Sequence, residues 1–173
     1  MEKYYKKYPD LHRVLLWHSN AVASKALRIA ENYDGFDFDL QLIKEGALLH
    51  DIGVFLTDAP EINCFGENPY LCHGYLGREI LEKEGLPKHA LIAERHIGSG
   101  IGEEEIRKKN LPLPPRDMLP LTPEEEVICL ADKFYNKSDN PLKEKQVEDI
   151  KNELKKHGPE SAGRMEKLLR KYV

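Results

Sequence analysis

No stretch of this chain approaches the roughly 18 consecutive apolar residues that suggest a membrane span. The opening Met1-Glu2-Lys3-Tyr4-Tyr5-Lys6-Lys7 is not followed by the apolar core of a signal peptide. Both absences point to the cytoplasm. An excess of positive charge is lacking too: the net charge is −4 and the isoelectric point is near 6.0. A protein that grips a nucleic-acid backbone usually shows a basic face, so a duplex is not an expected partner and only a local basic pocket remains open. Cysteine is scarce, with Cys64, Cys72 and Cys129 showing no C-x-x-C spacing. An odd number so placed excludes a zinc finger and reads as free thiols in a reducing compartment. There is no internal repeat and no low-complexity tract. Nor is there a period-two alternation convincing enough to predict a sheet.

What remains is a helical chain of 173 residues, 40% hydrophobic and 32% charged, a length that suits one domain over 1–173. Val14, His18, Val22, Ala26 and Ile29 share one helical face behind Pro9-Asp10. A second helix begins at the cap Asp39 and carries Leu40, Ile43, Ala47, His50 and Asp51 on one face, then ends or kinks at Ile52-Gly53. Residues 54–72 have no clear period and read as a functional loop, a lid or wall. His73-Gly74 opens the next helix, and His96 closes one that runs from about Pro87 to Arg95; His89 is expected to be exposed. The five prolines between Leu111 and Pro123 disfavour helix, and their leucines suggest a loop packed along the domain. Thr122-Pro123-Glu124-Glu125 is a strong helix start that leads to Asp132. The last stretch forms an amphipathic helical extension, 141–173, divided at His157-Gly158-Pro159.

His50-Asp51 stands at the end of an apolar run, where an imidazole and a carboxylate are tolerable if they hydrogen-bond, pair or bind a metal. His18, His73, His96 and Asp132 also sit in segments that read as helices. A lone buried histidine is more often a satisfied core residue, so the weight lies in the ordered set of six.

In their order His18, His50-Asp51, His73, His96 and Asp132 resemble the metal signature of the HD superfamily of metal-dependent phosphohydrolases, and His50-Asp51-Ile52-Gly53 spells its HDIG variant. The resemblance covers about residues 12–137 and implies an all-α helical bundle with irregular loops. It implies that His18, His50, Asp51 and Asp132 hold one divalent ion. His73 and His96 resemble the further ligands of two-metal members, with Asp51 bridging. Four imidazoles and two carboxylates suit iron or manganese, with zinc, nickel or magnesium as further options.

Such a site activates water without a side-chain nucleophile, and Asp51 and Lys133 are the expected catalytic pair. Lys133, Arg95 and Arg78 lie beside these ligands, and Asn136 and Lys137 one turn beyond Asp132, so these five are candidates to hold a small phosphorylated substrate. Bacterial diadenosine tetraphosphate hydrolases of the HD type have a similar ligand arrangement and length, which suggests a small nucleotide or a dinucleoside polyphosphate. A mixed-valent di-iron oxygenase and a non-catalytic metal-binding protein are the competing classes. The helical tail offers a surface for a homodimer.

Overall fold

The computed structural model describes residues 1–137 and 143–173. The first two positions of the expected extension, 141 and 142, lie outside the described residues. Nine α-helices are present among those described: α1 (Glu2–Tyr5), α2 (Pro9–Glu31), α3 (Leu40–Leu49), α4 (His73–Lys83), α5 (Pro87–Arg95), α6 (Glu103–Lys108), α7 (Pro123–Asp132), α8 (Val147–Lys155) and α9 (Pro159–Tyr172). None is long and apolar enough to cross a membrane.

The 23-residue α2 is the spine, packed along α3 and α7. Its buried face carries His18, Val22, Ala26 and Ile29 of the repeat read from the sequence, while Val14 is only partly buried and its neighbour Leu15 is fully so. At α3 the Asp39 carboxylate accepts from the Leu42 N–H, and at α7 the Thr122 hydroxyl accepts from the Glu125 N–H, so both caps form as expected. The main core joins α2, α3 and α7 to α8 and α9 through residues such as Val127, Ile128, Ile150, Leu154, Met165 and Leu169. The tail therefore shares the central core. A second cluster gathers Tyr5, Leu11, Leu15, Ile52 and Val54 with α4 and α5.

Residues 54–72 hold structure that the sequence reading did not predict. Short 3-10 turns alternate with β1 (Thr57–Ala59), β2 (Cys64–Phe65) and β3 (Asn68–Pro69), in the order β2-β1-β3. β1 pairs antiparallel with β2 and parallel with β3. Strands of two or three residues carry no readable alternation. Local side-chain bonds hold them instead: Thr57 donates to the Val54 carbonyl and Asn68 to that of Leu56.

The proline-rich segment packs as expected at Leu113 and Met118, but Leu121 is 70% exposed. Arg116 ties it to the bundle through buried Glu94. His89 departs from expectation: its ring is largely covered and lies 3.0 Å from Glu45 Oε2.

Candidate metal centre

The helix ends explain how the histidines converge. His50 and His96 are the capping residues at the C-terminal ends of α3 and α5, where last-turn carbonyls lack their full set of helical partners. Each ring turns back on the carbonyl three residues before it: Nδ1 of His50 on Ala47 at 2.6 Å, and Nδ1 of His96 on Ala93 at 2.8 Å. His73, at the first turn of α4, does the same to Tyr70 at 2.6 Å. A carbonyl only accepts, so Nδ1 carries the proton in all three rings. In the neutral ring Nε2 is then a bare lone pair. His18 alone comes from mid-helix, and its Nδ1 has no hydrogen-bond partner.

The four Nε2 atoms surround Asp51, which is fully buried. Asp51 Oδ2 lies 3.2 Å from His50 and 3.5 Å from His18, while Oδ1 lies 3.4 Å from His73 and 3.5 Å from His96. Asp132 Oδ1 closes the first side, 2.9 Å from His18 and 3.5 Å from His50. The donor atoms of His18, His50 and Asp132 lie within 4.8 Å of one another, as do those of His50, Asp51 and His96. All six residues are buried.

This packing is hard to account for by hydrogen bonding alone. The His73 and His96 Nε2 atoms face each other at 3.1 Å with both Nδ1 protons already committed, which sets two lone pairs in opposition. Neither Asp51 oxygen nor His50 Nε2 has a well-directed hydrogen bond, although all are buried. Soft imidazole nitrogens and carboxylate oxygens converging in this way suit a divalent transition-metal ion.

The electrostatics agree for His18, His73 and His96. Burial pushes His18 down to about 4, helped by the Lys137 ammonium, and pushes His73 down to about 3; His96 is lowered by burial as well. These rings stay neutral and able to ligate. Burial also opposes charge on His50, but Asp51 and Asp132 outweigh it and raise that ring to about 9. Both aspartates are desolvated, yet remain well below the usual carboxylate range, Asp51 through His50 and Lys137, Asp132 through Lys133 and Lys137.

Of the predicted substrate residues, Lys133 and Lys137 reach the centre, with Nζ 2.6 Å from Asp132 Oδ2 and 2.9 Å from Asp51 Oδ2. Asn136 is exposed at the edge of the adjoining cavity. Arg78 and Arg95 do not join them. Arg78 is held by Glu82 and buried Glu94, and Arg95 by both oxygens of Glu125. Neither lines the cavity. Sequence adjacency to His96 placed Arg95 in the wrong company, because neighbouring residues on a helix point about 100° apart.

Two tyrosines lie at the site outside the expected set. Tyr70, on the predicted wall, packs with its ring 4.6 Å from that of His73 and 5.7 Å from Lys137 Nζ. Burial raises its hydroxyl to about 12, so it stays a neutral donor. Its spacing from His73 was the available signal. Tyr5 lies behind the site and donates to the carbonyls of Asp51 and Ile52.

Gly53 has a steric reason. A Cβ there would lie 2.2 Å from the His73 carbonyl and 2.5 Å from the Gly77 nitrogen. The closely approaching element is thus a helix, α4, and the missing side chain lets His50-Asp51 and His73 share one centre.

An all-α bundle with a buried histidine–aspartate centre at its helix ends defines the class. The match to the HD domain model spans residues 15–137, and the chain belongs to the HD-domain family. It is 43% identical over 118 residues to an uncharacterized protein of Methanocaldococcus jannaschii, covering 66% of this chain and 62% of that one. It is 36% identical over 155 residues to a tRNA (cytidine(56)-2'-O)-methyltransferase of Thermoplasma volcanium, covering 89% of this chain and 40% of the relative. A protein of the same description from Picrophilus torridus is 34% identical over 79% of this chain and 35% of its own length. The chain thus spans a little under two thirds of the first of these relatives and well under half of the other two. No solved structure matches it significantly.

Proposed function

We propose that this protein is a metal-dependent phosphohydrolase acting on a small nucleotide, with a dinucleoside polyphosphate as one candidate. The observation that carries the reading is the division of Asp51, whose Oδ2 faces His18 and His50 and whose Oδ1 faces His73 and His96. That division supports a two-ion site, with Asp51 shared and Asp132 completing the first half. Iron or manganese suits the donor set, and in such a site divalent ions polarise a phosphoryl oxygen and lower the pKa of water towards neutrality.

The chain's own residues do the rest. The carbonyls of Ala47, Tyr70 and Ala93 lock three imidazoles in orientation before any substrate arrives. Lys133 and Lys137 bring two ammonium groups to the mouth of the centre, where they neutralise and orient phosphate oxygens. Asp51 is the residue on which the reaction depends, because both halves of the donor set converge on it. A cavity of about 960 Å³ adjoins His73, His96 and Asp132, ample for a nucleotide. The two relatives named as tRNA methyltransferases favour nucleotide chemistry. Methyl transfer belongs to proteins of which this chain matches 40% and 35%, and it is not assigned here. Three buried free cysteines and no membrane-spanning helix among the described residues fit the cytoplasm.

The test is phosphate release from a nucleotide panel by protein loaded with iron, manganese or zinc, with oxygen uptake followed in parallel. Metal-dependent phosphate release that is lost in His50→Ala supports the proposal. Oxygen consumption without phosphate release would replace it with an oxygenase.

A further inference from the structure

The family match begins at residue 15, and α1 lies ahead of it. This short helix is nevertheless tied to the metal centre. Tyr5, at its end, is fully buried, and its hydroxyl donates to the carbonyl of Asp51 at 3.1 Å and to that of Ile52 at 3.0 Å. The Asp51 carbonyl also accepts from the Val54 N–H at 3.0 Å, whereas for the Ile52 carbonyl Tyr5 is the donor found among the described residues. Both carbonyls belong to the turn that follows α3, and both residues are buried, so a partner lost there is not replaced by water.

The ring of Tyr5 is held as well as its hydroxyl. It meets Phe55 edge-on with 5.2 Å between centroids and lies alongside His12 at 5.7 Å. Its neighbours Lys3 and Tyr4 both donate to Oε1 of Glu84, the residue that caps the end of α4, each at 2.6 Å. α1 is therefore fastened to the turn that carries His50-Asp51 and to α4, which begins at His73. These are the two elements that meet at Gly53.

The consequence falls on Asp51. Each of its side-chain oxygens stands between two imidazoles, so a backbone rotation that brings one oxygen nearer its pair carries the other away. His50, His73 and His96 are aimed by carbonyls that hold their Nδ1 atoms. Neither Asp51 oxygen has a well-directed hydrogen bond of that kind, and its aim is set through the backbone.

We propose that Tyr5 is a positioning residue for the metal centre: its hydroxyl fixes the Asp51–Ile52 backbone so that both carboxylate oxygens address their histidine pairs at once. The proposal rests on the two-ion reading of the centre and adds a residue from outside both the ligand set and the family match. If Tyr5 only filled space, its ring would matter and its hydroxyl would not.

The experiment is calorimetric titration of the metal-freed full chain with Mn2+. It compares wild type with Tyr5→Phe, which keeps the ring and deletes the hydroxyl, and with Ile29→Val, a buried change near the far end of α2 that lowers stability away from the centre. Tyr5→Phe is expected to bind both ions about tenfold more weakly, the scale on which an outer hydrogen bond orients a metal ligand. Ile29→Val should stay within about twofold of wild type. The visible absorption of the Co2+-loaded proteins, which reports ligand geometry, should change in Tyr5→Phe and not in Ile29→Val. Should Tyr5→Phe fail to fold, Phe55→Leu decides instead: it keeps the hydroxyl but removes the ring that supports it, and a smaller loss of Mn2+ affinity is expected. Wild-type affinity and spectrum in the deciding variant would make Tyr5 a packing residue and leave the two-ion centre standing. Weakening of one ion alone would show that Tyr5 does not act through the shared Asp51, and overturns the proposal as well. If the wild-type chain binds neither Mn2+ nor Co2+, the centre falls and the brace with it.

Discussion

Asp51 differs from the other five centre residues in having both side-chain oxygens engaged, each between two imidazoles. Removing it should therefore empty the whole site, whereas removing His73 should affect one half. We expect Asp51→Ala to retain less than about a tenth of the bound metal and to lose turnover, with its helical circular dichroism kept. His73→Ala should keep the ion held by His18, His50 and Asp132. Equal metal loss in both variants would count against the two-ion arrangement. Lys133 is placed differently, on the cavity side of Asp132 and partly exposed. Lys133→Ala should raise KM by about tenfold with a smaller change in kcat, the usual scale for one charge-assisted contact. A pure loss of kcat would recast it as a group that acts only in the transition state.

At the scale of elements, the centre depends on how helices end and touch. α3 and α5 stop at His50 and His96 so that the final carbonyls are left for imidazole, and α4 comes against the turn after α3 because Gly53 has no side chain there. Gly53→Ala places a methyl against α4 backbone, which cannot yield as a flexible side chain would. Overpacking of this kind costs about 1–3 kcal/mol, so the thermal midpoint should drop by several degrees. Because the clash is with the His73 carbonyl, the variant should also lose metal affinity by a larger factor than a distant core substitution of equal cost. Unchanged metal affinity in a destabilised Gly53→Ala would separate the glycine from the site and leave it a packing residue only.

Across the whole molecule, the six side chains tie α2, α3, α4, α5 and α7 at one point. A cation held by these six side chains would cross-link all five elements and so stabilise the folded state. Chelation should therefore lower the melting temperature, with about 2.7 kcal/mol at stake when free metal stands at 100 times its dissociation constant. A melting curve indifferent to chelator and to added metal would contradict a metal centre. The tail offers a second whole-molecule test, since Ile150, Leu154, Met165 and Leu169 lie in the same cluster as Val127 and Ile128 of α7. A chain cut after residue 137 should be insoluble or lose near-ultraviolet dichroism, because that core would open to water. A well-folded truncated protein would make the extension a separable appendage.

How much of this could be read beforehand depends on the range of the interaction. Local signals were legible: the 3.6-residue repeat of Val14 to Ile29, the caps at Asp39 and Thr122, and the prolines that exclude helix from 111 to 121 each act within a few residues. The six centre residues were legible through their ordered resemblance to one family, which carries over spatial information that their spacing alone lacks. The small sheet at 57–69 was hidden because its strands are too short to show a pattern. The allegiance of Arg78 and Arg95 was decided only in three dimensions, where buried Glu94 and Glu125 lay within reach and the centre did not. The sequence by itself determined the helices, their ends and the donor atoms, since these follow from neighbours along the chain. The tertiary structure decided which donors share Asp51, which cations reach them, and that α8 and α9 wall the same cavity, since these follow from packing among residues as far apart in the sequence as 51 and 137, or 99 and 164.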